Sequence, residues 1–390
     1  MTDAPAYWPA PARIGMRVEE VDTPALIVEL VPFERNLKRM ADFARDHNIR
    51  LRPHAKMHKT PAIALKQIAH GAVGVCCQKT SEAEALVAGG VGDVLITNQV
   101  VGTSKLARLA ALARRATIGV CVDAAANVHA LAAAAKAADA VIEVYVEINA
   151  GANRCGVEPG ADTAALAQVV AASPHLRLMG LQAYHGSAQH LRSAAERSAA
   201  IALATGKAQL SRDLICAAGL PCPIVTGAGT GTYETEAASG VYNELQPGSY
   251  AFMDADYGRN QADHPFEQSL FILTTVMSRS PERAVVDCGL KAHSIDSGMA
   301  LVAADARGAV LAGLDYIKAS DEHGVIVSNG GALPAALPTA WATALPALGS
   351  KLRLIPGHID PTVNLHDWII GVRNGIVEEL WPVTARGAMW

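Results

Sequence analysis

The sequence predicts a parallel (β/α)8 barrel of the TIM type followed by a mainly β C-terminal domain. Three observations lead there. Short β-rich runs alternate with helical stretches over the first two-thirds of the chain, eight such runs are found, and the alternation fades after about Gly258. Eight parallel strands are the number that closes such a barrel. In order, the candidate strands are Pro24–Leu30, Ile49–Pro53, Val73–Gln78, Val94–Thr97, Ile118–Asp123, Val141–Ile148, Leu176–Tyr184 and Ile224–Thr226. The helices between them have legible ends. Thr60-Pro61 supplies an N-cap and a first-turn proline, and Ser81 to Glu84 fits a capping box whose helix stops at Gly89-Gly90. A doubly wound open sheet gives a similar string, but no Gly-x-Gly-x-x-Gly follows the first strand, which counts against a dinucleotide fold. Beyond Gly258, β-type runs at Leu270–Met277, Ala284–Val286, Gly324–Val327 and Lys351–Leu354 are separated by turn residues. The expected division is a barrel at 20–258 and a β domain at 259–390, with residues 1–19 packing on the latter.

Composition sets the outer limits. With 390 residues, 51% apolar and 18% charged, the chain is an ordinary soluble globular sequence, and a net charge of −4 argues against nucleic acid as a partner. The Ala-rich stretch from Val128 to Val146 is interrupted by Lys136, Asp139 and Glu143, so no membrane span is expected. The segment Met1 to Arg17 carries Pro5, Pro9 and Pro11 and lacks the basic start and apolar core of a signal peptide. Seven cysteines, two of them adjacent at Cys76 and Cys77, do not suit a disulfide framework. The expectation is a reduced, cytoplasmic protein.

Chemistry in a parallel barrel gathers at the C-terminal ends of the strands. After the second strand comes Arg52-Pro53-His54-Ala55-Lys56-Met57-His58-Lys59, in which a lysine crowded by cations and imidazoles would be harder to protonate and a better amine nucleophile, able to form a Schiff base. Strand ends are also often basic without function. The third strand ends at Gln78, the sixth leads to Arg154, and the seventh to Tyr184 and His185. After the eighth, Thr226-Gly227-Ala228-Gly229-Thr230-Gly231-Thr232 offers small residues and hydroxyls suited to a phosphate, and a second turn at Pro247-Gly248-Ser249 could complete the cup. A reactive lysine and a phosphate cup in one mouth suggest pyridoxal 5'-phosphate.

These runs, with Cys76-Cys77-Gln78-Lys79, Asn153-Arg154-Cys155-Gly156-Val157, Gln182-Ala183-Tyr184-His185-Gly186, Glu244 to Tyr250, Asp321-Glu322-His323-Gly324 and Pro356-Gly357-His358-Ile359-Asp360-Pro361-Thr362, resemble the D-threonine aldolase and 3-hydroxy-D-aspartate aldolase family. The resemblance covers nearly the whole chain. It implies an alanine-racemase-like, fold-type III pyridoxal-phosphate enzyme, a homodimer, with a divalent metal beside the cofactor. Residue by residue, it implies that Lys56 is the Schiff-base lysine and Lys59 is not. It further implies that Arg154 faces the cofactor's phenolic oxygen, and that Gln78, Tyr184, Gly229, Thr230, Gly248 and Ser249 contact ring or phosphate. The family loop often has three consecutive glycines, and Ala228 interrupts them here, which is tolerable if its φ is negative.

His358 and Asp360 form a second centre. Two residues apart in a strand, they would project from one face and reach one ion. A lone His-x-Asp pair is usually structural, but these match the family's metal ligands. Two protein ligands leave positions for water and substrate, which suits manganese or magnesium. Related D-serine dehydratases place cysteine where Asp360 stands. The implied reaction is retro-aldol cleavage of a D-3-hydroxy amino acid, such as D-threonine or 3-hydroxy-D-aspartate, to glycine and an aldehyde. His185, His190 and His293 are candidate proton carriers. A dehydratase of D-3-hydroxyaspartate or D-serine, an amino-acid racemase of the same fold and a non-catalytic cofactor carrier are the competing readings.

Overall fold

The computed structural model describes residues 9–261, 265–329 and 345–390. The chain forms two compact units whose segments interleave: Met1–Asn36, Ala251–Gly258 and Phe266–Gly387 make one, and Leu37–Tyr250, Arg259–Pro265 and Ala388–Trp390 the other. A single boundary at 258/259 is therefore replaced by several crossings. The reason lies in the first strand. β1 (Ala25–Glu29), expected to open the barrel, belongs instead to the sheet of the first unit, and α1 (Leu30–Asp46) runs on from it across the boundary.

The barrel consists of β2 (Arg50–Leu51), β3 (Val75–Cys77), β4 (Asp93–Gln99), β5 (Thr117–Val122), β6 (Ile142–Glu147), β7 (Leu176–Gln182), β8 (Ile224–Gly227) and β9 (Glu244–Leu245). They are ordered β2-β9-β8-β7-β6-β5-β4-β3, and every pair is parallel. The ring closes where the chain beyond β2 meets β3: Val73 N–H donates to Leu51 O at 2.9 Å, Cys76 N–H donates to Pro53 O at 2.8 Å, and His54 bridges Cys76. The eighth strand is thus β9, a run too short to stand out in the sequence.

Helices α2 (Pro61–Ala69), α3 (Thr80–Ala88), α4 (Thr103–Leu112), α5 (Ala125–Ala137), α6 (Ala161–Ala171), α7 (Ala194–Ala217) and α8 (Tyr233–Ala237) alternate with these strands. Pro61 opens α2 as expected, its missing N–H costing nothing in the first turn. The capping carboxylate of α3 is Glu82 rather than Glu84, accepting the N–H of Gln78 at 2.7 Å and of Lys79 at 3.1 Å. Strand residues such as Val75, Val94, Ile118, Val144 and Leu181 pack against helix residues such as Leu86, Leu109, Leu131 and Leu166 to form the outer core. Cys76, Leu95, Cys121, Tyr145 and Ile224 form a separate cluster. With both strand faces buried, the strands read as continuous apolar runs.

The first unit is a twisted sheet completed by β10 (Leu270–Arg279), β11 (Ala284–Val286), β12 (Leu301–Asp305), β13 (Leu314–Ala319), β14 (Gly324–Ser328), β15 (Lys351–Ile355), β16 (Trp368–Arg373) and β17 (Ile376–Pro382). Its main path runs β13-β14-β11-β10-β1-β16-β17, and β15 pairs with β10 and β12. β1 lies in the middle, antiparallel to β10 and parallel to β16. Ala12, Val18 and Val21 pack with Ile27, Leu273 and Ile370, so the described part of the N-terminal segment covers this sheet. Two short helices, α9 (Ala255–Gly258) and α10 (Ile359–Val363), complete the unit. All seven cysteines are free, and among the described residues no helix is long and apolar enough to cross a membrane.

Two glycines test this packing in opposite directions. Gly180 in β7 has φ +137°, and a Cβ there would lie 1.9 Å from Ile224 O on β8. Gly180→Ala is expected to destabilise by about 2–4 kcal/mol through backbone strain and overpacking. Gly206, inside α7, meets nothing within 4 Å. Gly206→Ala is expected to stabilise by about 0.5–1 kcal/mol through helix propensity. Denaturant unfolding midpoints on the two variants check both signs.

Candidate functional site

The basic segment after β2 forms a single 3-10 turn, Ala55–Met57, which puts Lys56 at the C-terminal end of the strand. The fold deals with each of its cations differently. His58 is buried, with Nε2 3.3 Å from Gln67 Oε1, and Lys59, 6% exposed, ion-pairs with buried Glu82 at 2.7 Å. Lys59 is therefore a neutralised structural lysine, and the crowding expected to activate Lys56 is weaker than the sequence suggests. His54 accepts the Lys56 N–H at Nδ1 (3.3 Å), while its Nε2 lies 3.1 Å from Thr97 Oγ1 and 2.9 Å from the Gln78 amide nitrogen. Of the four residues His54, Lys56, His58 and Lys59, only Lys56 is partly exposed. Gln78 stands beside it through His54.

The two glycine turns come together at this point. A Cβ on Gly248 would lie 2.8 Å from His54 O, so only glycine lets that turn approach the lysine turn so closely. Tyr250 N–H donates to Thr230 Oγ1 at 3.0 Å, joining the Gly248-Ser249 turn to the loop after β8. Among the described residues, the N–H groups of Thr230 and Ser249 have no protein acceptor, and the Thr230 hydroxyl retains its hydrogen for donation. These are the donors a phosphate cup needs. Ala228 takes φ +70°, so the condition set for its methyl group fails, and the loop carries strain of about 1–3 kcal/mol.

Sequence reasoning missed the brace behind this loop. Gln189 accepts the Gly231 N–H at 2.9 Å and donates to Thr232 Oγ1 at 2.9 Å, and Thr232 in turn donates to Glu236 at 2.8 Å. Burial pushes the Glu236 carboxyl up to about 7 despite that hydrogen bond. Thr232 is thereby committed to the brace, whereas Thr230 is not. No local sequence signal marks Gln189, because it follows β7 whereas the loop it braces follows β8. At the end of β6, Arg154 is exposed and its guanidinium carbon lies 5.8 Å from the ring centre of Tyr184. A Cβ on Gly186 would meet both side chains, so these two residues share one neighbourhood, and Gln189 continues it to Gly229. His185 is half-buried, and burial with nearby Lys207 lowers its pKa. His190 is exposed. His293 is fully buried against Tyr316, which removes it as a proton carrier in solution contact.

The first unit holds the other pair. His358 and Asp360 do not lie in a strand: His358 is the extended N-cap residue of α10, and Asp360 falls in its first turn, where Pro361 needs no hydrogen-bond partner. The pair still converges. His358 Nε2 and Asp360 Oδ2 are 4.0 Å apart. Donor–metal bonds of about 2.0–2.2 Å let two atoms at that separation share one ion. His358 Nδ1 lies 2.8 Å from Asp296 Oδ2. Burial works against ionising Asp296, but hydrogen bonds from His358 and Ser294 outweigh it and lower its pKa. Asp254, almost fully buried, accepts the N–H of Ile359 at 3.1 Å and anchors the start of α10; burial pushes its own carboxyl up. Among the described residues, no cluster of three or more histidine, cysteine or acidic groups is poised around one point, so a metal here would rest on the pair and on non-protein ligands.

Residues 28–256 match the alanine racemase N-terminal domain family, and residues 269–372 match a serine dehydratase domain family. A D-threonine aldolase from Arthrobacter is 48% identical over 97% of this chain and 96% of its own length. A 3-hydroxy-D-aspartate aldolase from Paracoccus denitrificans is 46% identical over 97% and 95%. The solved structure of D-threonine aldolase from Filomicrobium marinum superposes with a TM-score of 0.92 at 51% identity, covering 98% of this chain and all of that one. A D-threo-3-hydroxyaspartate dehydratase from Delftia is more distant, 31% identical over 87% of this chain and 90% of its own length. Likeness at this level, sustained end to end, means that the chain belongs to the D-threonine aldolase and 3-hydroxy-D-aspartate aldolase family.

Proposed function

We propose that this protein is a carbon–carbon lyase that cleaves D-3-hydroxy amino acids to glycine and an aldehyde, using pyridoxal phosphate and a divalent ion. The observation that carries this reading is the meeting of the Lys56 turn, the Gly248-Ser249 turn and the Thr230 loop in one place. Lys56 would hold the cofactor covalently. Thr230 and Ser249, helped by Gly229 and Gly248, would take its phosphate; Gln78 and Tyr184 would border the ring; and the permanent cation of Arg154 would keep its phenolic oxygen ionised. His358 and Asp360 would hold the ion, and their nitrogen and carboxylate donors suit manganese or magnesium. Bound together, cofactor and ion would supply an electron sink for the carbanion left at Cα and a Lewis acid for the β-hydroxyl. Its lowered pKa keeps His185 neutral at pH 7, the form a proton acceptor requires. The carboxylate of Asp360 favours cleavage over the dehydratase reading, and a racemase would have no use for this pair. A cytoplasmic homodimer is the expected form.

Borohydride reduction of the cofactor-loaded protein followed by peptide mapping is expected to leave a pyridoxyl group on Lys56. Lys56→Ala should lose activity by at least about 1,000-fold, on the scale seen when covalent catalytic groups are removed. An adduct on Lys59 would refute the assignment.

Chelation with EDTA should abolish cleavage while leaving the visible absorbance of the bound cofactor intact, and manganese should restore turnover. Asp360→Ala should not be restored at the same manganese concentration. Full activity of that variant after metal removal would sink the metal proposal.

Stereochemistry follows from orbital overlap. Cleavage requires the Cα–Cβ bond to stand perpendicular to the cofactor ring while the carboxylate and β-hydroxyl are both held, and one Cα configuration satisfies this. D-threonine and D-allo-threonine, or both D-3-hydroxyaspartates, should be consumed. Chiral chromatography would detect efficient loss of an L substrate, which would contradict the proposal.

A further inference from the structure

We infer that Asp296 is a positioning residue for the metal pair: it fixes the tautomer and the ring orientation of His358 through the hydrogen bond at Nδ1. This rests on the reading of His358 and Asp360 as ligands. The bond is 2.8 Å long, and an ionised carboxylate can only accept, so the proton sits on Nδ1 and the Nε2 lone pair is left to bind an ion. Nε2 is also the nitrogen that lies 4.0 Å from Asp360 Oδ2. The geometry is that of a carboxylate–histidine–metal arrangement.

Asp296 is itself held in place. Ser294 Oγ–H donates to Asp296 Oδ1 at 2.7 Å, and Ser297 Oγ–H donates to Oδ2 at 3.3 Å. Ser294 N–H donates to Thr362 Oγ1 at 3.1 Å, and Thr362 Oγ1–H donates to His358 O at 2.6 Å. The path from His358 to Asp296, Ser294, Thr362 and back to His358 is therefore a closed circuit of hydrogen bonds. It grips both the imidazole and the backbone of the ligand residue. A carboxylate serving only to hold the loop would not need to meet the ring nitrogen opposite the ligating one. The Asp296 side chain is 50% exposed, so removing it leaves no buried group unpaired and the fold is expected to survive.

The test is Mn2+ binding to the cofactor-loaded full chain, measured as loss of the free-ion electron paramagnetic resonance signal, with thermal melting and cofactor absorbance recorded in parallel. Asp296→Ala is expected to weaken Mn2+ binding by about 10–100-fold, as for other groups that orient metal ligands. Asp296→Asn, which keeps a neutral acceptor, should recover part of that loss. Melting temperature and cofactor absorbance should stay as in the unmodified protein, and excess Mn2+ should restore turnover to Asp296→Ala. His358→Ala and Asp360→Ala serve as references. If both references lose Mn2+ affinity while Asp296→Ala and Asp296→Asn keep it, the positioning role is overturned and the metal pair stands. If the references keep full affinity, the metal reading falls and this inference falls with it.

Discussion

A guanidinium buried at the barrel seam is the constraint on which the barrel unit depends. Arg52, 1% exposed, reaches Glu244 on β9 at 3.0 Å and Asp93 at the start of β4 at 2.5 Å, while Arg50 takes the other oxygen of Glu244. Two of the strands it joins, β2 and β9, are the shortest in the barrel, with register pairs at Arg50↔Glu244 and Leu51↔Leu245 and backbone bonds carried on by Arg52 N–H to Leu245 O and His54 N–H to Pro247 O. A fully paired buried charge adds direction, and losing one partner of such a network costs about 3–5 kcal/mol. The network holds the segment between β2 and the turn at Ala55–Met57 in place.

The same treatment of charge explains why one lysine stands out in a segment crowded with basic groups. Arg52 is matched by Glu244 and Asp93, Lys59 by Glu82, and the two imidazoles are hydrogen-bonded in the interior. Lys56 is left partly exposed, beside turns whose glycines let backbone donors come close. The proposed role of Lys56 thus rests on its partial exposure beside those turns, more than on cationic crowding. Strain at Ala228 lies in the loop facing those turns, and the Glu236 carboxyl, pushed up by burial, lies in the helix that follows it, where departures from local preference are expected.

Much of this was legible in the sequence, for identifiable reasons. Helix–strand alternation from β3 to β8 follows apolar periodicity, which records burial directly. β1 misled because a fully buried apolar run reads the same in a barrel as in the centre of another sheet, and only its pairing with Leu270–Leu273 and Ile369–Val372 distinguishes them. β9 was hidden by its length. His358-x-Asp360 was legible as a pair but not as a helix start, since the extended conformation ends at His358 itself. Lys56, Arg154 and the glycine loops were legible as motifs. Gln189 and Asp296 were not, because their partners lie far off along the chain; Gln189 meets Thr232 across 43 residues and Asp296 meets His358 across 62.

The chain breaks a carbon–carbon bond rather than eliminating water. Both reactions can begin from the same D-3-hydroxyaspartate, so its products discriminate directly. Incubating the manganese- and cofactor-loaded enzyme with that substrate and following the products by proton nuclear magnetic resonance is expected to give glycine and glyoxylate in equal amounts, with D-threonine giving glycine and acetaldehyde in a parallel run. Ammonia and oxaloacetate in place of glycine would show elimination of water instead.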